Sequence, residues 1–156
     1  MIELQRKKYD ELRAKLQIDI LRIGDELIAM PALVQETAEL AAVIGAEEHG
    51  CRLALDIISA EAASRLREPE DGKKAKSETQ IASELISQGD VQDARQAYDS
   101  AKLDAAQANA LHNSMREKVR LLGKACDLVV AGFITPSSYS PRRADLINRA
   151  ADRKSG

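Results

Sequence analysis

Two long stretches of this sequence repeat apolar residues every three or four positions, and this spacing restricts the chain to helical folds. The later stretch predicts one helix from Val91 to about Ile134. A helix of about 40 residues is about 60 Å long, so it needs a second long helix to cover its stripe. The stripe consists of Ala94, Ala97, Ala101, Ala105, Ala108, Leu111, Met115, Val119, Leu122, Cys126, Val129 and Phe133.

The earlier stretch supplies that second helix, and the two together predict a long antiparallel hairpin. Pro31 lies near its start, where proline removes a backbone donor and clashes with the preceding turn. We interpret Pro31 either as the first helical residue or as a kink after a short helix at 25–30. Pro69 ends the helix. The apolar stripe is Leu33, Leu40, Ile44, Cys51, Leu55, Ile58 and Ala62.

Short elements flank the hairpin on its N-terminal side. Residues 2–16 have helical spacing, and the following segment "QIDILRIG" alternates isoleucines with polar residues. We expect this segment to be a short linker with weak strand character.

A short helix at roughly 76–88 is predicted between the two long ones. Ser77 is placed to cap its start, and Gly89 is placed to stop it. Asp90 then occupies the N-cap position of the final helix, because its carboxylate can accept a hydrogen bond from the first turn.

The chain divides into a helical hairpin domain at 1–134 and a basic C-terminal tail at 135–156, the tail being flexible or forming a short helix. A bare hairpin has little interior, so its apolar surface needs the short helices and partner subunits to cover it. The predicted fold class is therefore all-α, a long antiparallel helical hairpin with short flanking helices, in a homo-oligomer. Aromatic residues are scarce at 3%, which also favours helices over sheets.

Compartment and redox state are indicated by the N-terminus and the cysteines. The N-terminal segment alternates charges and lacks the apolar core of a signal peptide, and no uninterrupted apolar run reaches the roughly 18 residues of a membrane span. Cys51 and Cys126 lie far apart without a CxxC neighbour, which favours buried reduced thiols over a disulfide. We expect a cytoplasmic protein that does not contact a membrane.

Charge is separated along the chain although the net charge is only −2. The segment 24–63 contains eight acids and a single base, Arg52, whereas the segment 142–156 contains five bases and two acids. The acidic helix can repel nucleic acid, or it can bind a basic partner or a basic patch on a neighbouring subunit.

Catalytic and metal-binding patterns are missing from the sequence. His49 and His112 are its two histidines, and neither belongs to a constellation with zinc-ligand spacing. There is no Gly-rich phosphate loop and no nucleophile elbow. We expect a protein that is not an enzyme and has no cofactor, metal or catalytic residue.

Basic clusters are the remaining candidates for a binding site, because Lys and Arg bind phosphate backbones without sequence preference. The cluster around "DGKKAKSE" contains Arg65, Arg67, Lys73, Lys74 and Lys76, and the tail begins with Arg142 and Arg143. Two further clusters are "RKK" at 6–8 and "REKVRLLGK" at 116–124. For each cluster alone, a solvated surface remains the competing interpretation.

The order of these segments resembles the UvsY-like recombination mediators of tailed phages. The likeness runs from "QIDILRIGDELIAMPALVQETAELAAVI" through "ASRLRE" and "KSETQIASELISQGDVQDA" to a final helix that closes at "AGFI". The resemblance implies a helical, oligomeric, non-enzymatic protein that binds single-stranded DNA. It further implies a role in loading a RecA-like recombinase onto strands coated by a single-strand-binding protein.

Residue by residue, the resemblance carries over only in part. Arg65 matches a basic position near the end of the family's first long helix, while Ala63 stands where another base is expected. The final helix lacks the Trp of some relatives, and the first long helix is acidic.

The leading hypothesis is therefore a mediator of DNA recombination and repair, in the cytoplasm of a host cell if it is phage-encoded. Phosphates would be held by Arg65, Arg67, Lys73, Lys74 and Lys76, with Arg142 and Arg143 assisting. The alternative is a coiled-coil interaction module, a phage structural or host-takeover protein, that does not bind DNA.

Overall fold

The computed structural model describes residues 1–19, 22–68 and 76–132, and the elements in these ranges are all α-helices. They are α1 (Glu3–Ala14), α2 (Ile23–Arg67), α3 (Glu78–Ser87) and α4 (Gly89–Val130). The long helices α2 and α4 pack along one another and run in opposite directions, because Met30 clusters with Met115 while Arg65 pairs with Asp90. The predicted antiparallel hairpin is confirmed.

Two apolar clusters form the core of the hairpin, and both lie in the half away from α3. The first combines Leu12 of α1 with residues of both long helices, at a level where α4 carries Ala105 and Ala108. These small side chains leave room for Leu12, so three helices pack there instead of two. The second cluster, at the start of α2, consists of Ile23, Met30, Met115 and Leu122.

The half of the hairpin next to α3 has a thinner core. Its buried apolar residues in the described part of the chain are Ala62, Ile81 and Val91. Ile81 comes from α3, which lies against both long helices. Ile86, on the same helix, is 60% exposed.

A buried ammonium group fastens α1 and its following turn to the hairpin. Lys118 on α4 is 5% exposed, and its Nζ donates to the backbone oxygens of Lys15 and Gln17 at 2.7 Å each. The same Nζ lies 2.7 Å from Oε2 of Glu26 on α2. Burial alone raises the pKa of Glu26, but hydrogen bonds from Lys118 and from the Asp19 backbone outweigh it, so this pKa lies below its ordinary value.

The start of α2 differs from the prediction. The helix begins at Ile23 and continues through Pro31 to Arg67, so Pro31 is not the first helical residue and does not follow a separate short helix. Asp25 and Glu26 lie in the first turn, where carboxylates are favourable next to the helix N-terminus. The predicted end before Pro69 is confirmed.

The ends of α4 also differ from the prediction. Gly89 is the first residue of α4 rather than a stop, Gln88 is the N-cap, and Asp90 lies inside the first turn. The helix ends at Val130 instead of Ile134, because Gly132 adopts a positive φ of 78° that closes the last turn. The amide of Gly132 donates to the oxygen of Val129 at 3.1 Å.

The N-terminal linker is not a strand in the part that the structure describes. α1 confirms the helix predicted at 2–16, but residues 15–17 form a turn and Ile23 already belongs to α2. The tail at 135–156, and with it the domain boundary, lies outside the described residues.

The two cysteines are less buried than the sequence predicts. Cys51 and Cys126 are free, and both are half-buried rather than buried. α2 has an 18-residue window of mean hydropathy 1.5, of which 28% is buried, so by length and composition it could cross a membrane. A core helix of a soluble protein passes the same test, and the expectation that no membrane is contacted stays a prediction.

Candidate nucleic-acid interface

Three of the seven predicted DNA-binding residues lie in the described part of the chain, and all three are at the α3 end of the hairpin. Arg65 and Arg67 belong to the last turn of α2, and Lys76 precedes α3. Their side chains are 63%, 57% and 34% exposed. The other four, Lys73, Lys74, Arg142 and Arg143, lie outside the described residues.

A capping box fixes where α3 begins and so positions Lys76. Ser77 is the N-cap, and its hydroxyl accepts from the backbone N–H of Gln80 at 3.3 Å. In return, Oε1 of Gln80 accepts from the backbone N–H of Ser77 at 3.0 Å. The predicted role of Ser77 is confirmed, and its reciprocal partner is the glutamine three residues later.

Each of these three bases pairs with a carboxylate. Arg65 bonds Asp90 of α4 at 2.5 Å, Arg67 contacts both carboxylate oxygens of Glu78 at 3.2 Å, and Lys76 bonds Glu84 at 2.5 Å. The first pair ties α2 to α4, and the second ties α2 to α3. We call this group the tip cluster: Arg65, Arg67, Lys76, Glu78, Glu84 and Asp90.

The pairing changes the acidity of the partners. The hydrogen bond from Arg65 lowers the pKa of Asp90, and the hydrogen bond from Arg67 lowers the pKa of Glu78. The same bond to Glu78 raises the pKa of Arg67. Asp90 and Glu78 therefore stay ionised at neutral pH and compete with any other anion for the two arginines.

A cleft of about 730 Å³ adjoins the tip cluster between α2, α3 and α4. Its walls combine apolar side chains such as Leu85 and Val91 with Arg95 and Tyr98. Lys102 places its Nζ 5.9 Å from the centre of the Tyr98 ring. Asp56 and Asp99 also line the cleft, so it brings an aromatic ring, two cations and two carboxylates close to the tip, which sequence spacing alone did not indicate.

The basic cluster at 116–124 separates into different environments. Lys118 is buried, while Arg120 is 56% exposed and pairs with Glu117 one turn away. The spacing of Leu111, Met115 and Leu122 already placed position 118 on the core stripe, but we predicted Val119 there because it is apolar. Val119 is 36% exposed, so this cluster does not form a continuous basic surface.

The two histidines lie in different environments, one in a packing contact between the long helices and one on the surface. Nδ1 of His112 lies 3.1 Å from Oγ1 of Thr37, which is buried and donates to the Val34 oxygen. His49 is exposed on α2. Over residues 1–19, 22–68 and 76–132, no group of three His, Cys, Asp or Glu side chains is placed to hold a metal ion.

Comparison with protein-family models, with curated proteins and with solved structures finds no match to this chain.

Proposed function

We propose that this chain is a non-enzymatic recombination mediator of the UvsY-like kind, which binds single-stranded DNA at the tip cluster as a homo-oligomer. It would help load a RecA-like recombinase onto strands covered by a single-strand-binding protein. The observation that carries the proposal is the meeting of Arg65, Arg67 and Lys76 at one end of the hairpin. In sequence, Lys73 and Lys74 lie between these bases.

Exchange of anions is the physical step by which the tip cluster would bind DNA. Exposed ion pairs contribute little to stability, because water and salt compete for both partners. Phosphates can therefore replace Asp90 and Glu78 as partners of Arg65 and Arg67 without unfolding the hairpin. Binding of this kind releases counterions and weakens steeply with salt.

The adjoining cleft supplies the stacking surface that single-strand binders commonly use. Nucleobases stack on aromatic rings without sequence preference, and Tyr98 presents its ring beside Lys102. Several tips in an oligomer would hold one strand at several points and bend it. A bent strand would be released more readily by its coat protein and presented to the recombinase.

Fluorescence anisotropy of a labelled oligonucleotide, titrated at two salt concentrations, tests the proposal. Arg65→Ala and Arg67→Ala should each weaken binding and reduce the log–log salt slope by about 1. Asp90→Asn and Glu78→Gln should tighten binding, because each frees an arginine. Arg120→Ala is the matched control, since Arg120 also forms an exposed pair but lies at the far end of α4.

An interaction module without DNA binding is the second candidate, and the closed pairing of the tip cluster favours it. In that case these bases only hold the tip of the hairpin together, with Arg65 joining α2 to α4 and Arg67 joining α2 to α3. No oligonucleotide would then bind even at low salt, and Asp90→Asn would create no affinity. Charge reversal at Lys73, Lys74 and Lys76 would also leave binding of a protein partner unchanged.

A further inference from the structure

α2 carries a second apolar stripe on the face that points away from α4. Its positions are spaced alternately three and four residues apart, as in one face of a coiled coil, and all are exposed. The three large members, Val43, Leu53 and Ile57, are 53%, 49% and 58% exposed. We call these six residues the outer stripe: Val43, Ala46, Gly50, Leu53, Ile57 and Ala60.

We propose that the outer stripe is the contact surface for a second copy of this chain, packed antiparallel so that the two α2 helices are related by a two-fold axis between residues 51 and 52. This contact would form the homo-oligomer of the proposed function. The inference rests on that oligomer alone and not on DNA binding. It covers apolar surface in the half of the hairpin where the core is thinnest.

Side-chain size across the two-fold axis supports the antiparallel register. In antiparallel coiled coils each layer joins the two alternating stripe positions from opposite chains. About this axis every layer then joins one small residue and one branched residue, which is the combination that interdigitates without voids. The pairs, each formed twice, are Gly50 with Leu53, Ala46 with Ile57, and Val43 with Ala60.

A parallel pair would lack this fit. Identical residues would face one another, so Gly50 would lie on Gly50 and Ile57 on Ile57, alternating gaps with crowded layers. The stripe is self-complementary only when one copy is reversed, as an isologous two-fold contact requires.

Charges beside the stripe give the same orientation. In the antiparallel register Asp56 of one copy faces His49 of the other, and Glu47 faces Ala54. In a parallel register Asp56 would face Glu61 on both flanks, and like charges there oppose pairing. The choice of a second copy over an unrelated basic helix rests on this match of side-chain size, together with a register that does not place carboxylates opposite one another.

The substitution Gly50→Leu is expected to weaken association of two copies without weakening the fold of the single chain. A Cβ at Gly50 meets no atom within 4 Å in the single chain, and leucine is a better helix former than glycine. The variant should therefore fold at least as well as wild type, yet collide with Leu53 of the second copy. Gly45→Leu is the matched control, because Gly45 lies on the same helix but off the stripe, and an added Cβ there also meets no atom within 4 Å.

Sedimentation of the full chain without DNA measures the outcome. Wild type and Gly45→Leu should associate, whereas Gly50→Leu and Ile57→Glu should weaken the association at least about tenfold with helicity unchanged. Leu103→Glu on the outer face of α4, where Leu103 is 60% exposed, should have no effect. A monomeric wild type, or a Gly50→Leu variant that associates like wild type, would overturn the proposed contact between copies. Neither result would bear on DNA binding at the tip, because no DNA is present.

Cross-linking determines the orientation in a background where Cys51 and Cys126 are alanine. Ala46→Cys and Ile57→Cys proteins should each remain uncross-linked alone and form a disulfide dimer when mixed. Cross-linking of either variant alone would indicate a parallel pair and overturn the proposed register.

Discussion

Replacing Lys118 with methionine removes the ammonium group that joins α1, α2 and α4 but keeps a side chain of similar length. Lys118 is 5% exposed and the Glu26 side chain 19%, so the group that loses its partner is largely excluded from water. Removing one partner of a buried ion pair costs about 3–5 kcal/mol. Water can reach part of Glu26 and the two carbonyl oxygens, and we therefore expect a loss of about 2–4 kcal/mol.

A double-mutant cycle with Glu26→Gln measures how much of this loss of stability comes from the ion pair between Lys118 and Glu26. Glu26→Gln keeps an acceptor for the Asp19 amide and leaves the two carbonyl contacts of Lys118 in place, so it should cost only about 1–2 kcal/mol. The two substitutions should couple, because they remove the same ion pair. Urea denaturation followed by circular dichroism gives the three free energies of unfolding.

Hydrogen exchange localises the effect within the molecule. Without Lys118 the turn after α1 loses its anchor, so α1 should lose amide protection before α2 and α4. A cost below about 1 kcal/mol, or unchanged protection of α1, would refute the role assigned to this ammonium group.

Three further changes test the local structure. The pKa of Glu26 is lowered in the folded chain, so its contribution to stability is present above the unfolded pKa and is lost as pH falls through the folded pKa; acid titration should therefore destabilise wild type more than Glu26→Gln, and equal slopes would contradict this. Ser77→Ala should cost about 1 kcal/mol and expose α3 amides to exchange, whereas Ser83→Ala, outside the cap, should not. Pro31→Ala should raise the free energy of unfolding by about 1–3 kcal/mol, because the Leu27 oxygen regains a donor; thermal denaturation that shows no gain would mean that the helix has adapted to the proline.

The fold could be predicted from the sequence because three-to-four-residue spacing is a property of whole segments. Both long helices were recognised from this spacing. α2 continues through Pro31 because its contacts with α4 outweigh the local penalty of the proline. The exact ends were not predictable from the same signal, because they depend on caps. Gly132 ends α4 through one positive φ. Asp90 is not the N-cap but lies inside the first turn, where its carboxylate accepts from the Val91 amide and pairs with Arg65.

The sequence indicated where the candidate site lies but not that its bases form ion pairs. Basic residues around the hairpin tip are visible in the sequence, whereas their pairing with Asp90 and Glu78 depends on how α3 and α4 meet α2. Lys118 was missed for the opposite reason. Helical spacing places position 118 on the buried stripe, but lysine is charged, and the apolar neighbour Val119 was therefore assigned to the stripe instead.

If two copies pack antiparallel through their outer stripes, the register determines how far apart the two proposed DNA-binding tips lie. In the proposed register Arg67 lies opposite residue 36 of the second copy, so the two tips are separated by about 31 helical positions, roughly 46 Å. A strand long enough to reach both tips gains effective concentration for its second contact, whereas a shorter strand binds one tip alone. Affinity should therefore rise sharply above a threshold length in wild type.

Anisotropy with oligonucleotides of increasing length tests this link between the two proposals. Gly50→Leu should bind short strands like wild type, because its tip cluster is unchanged, but should lose the rise with length because its tips are no longer joined. Gly45→Leu should keep the rise. If Gly50→Leu also kept the rise of affinity with strand length, the two tips would have to be joined through a surface other than the outer stripe.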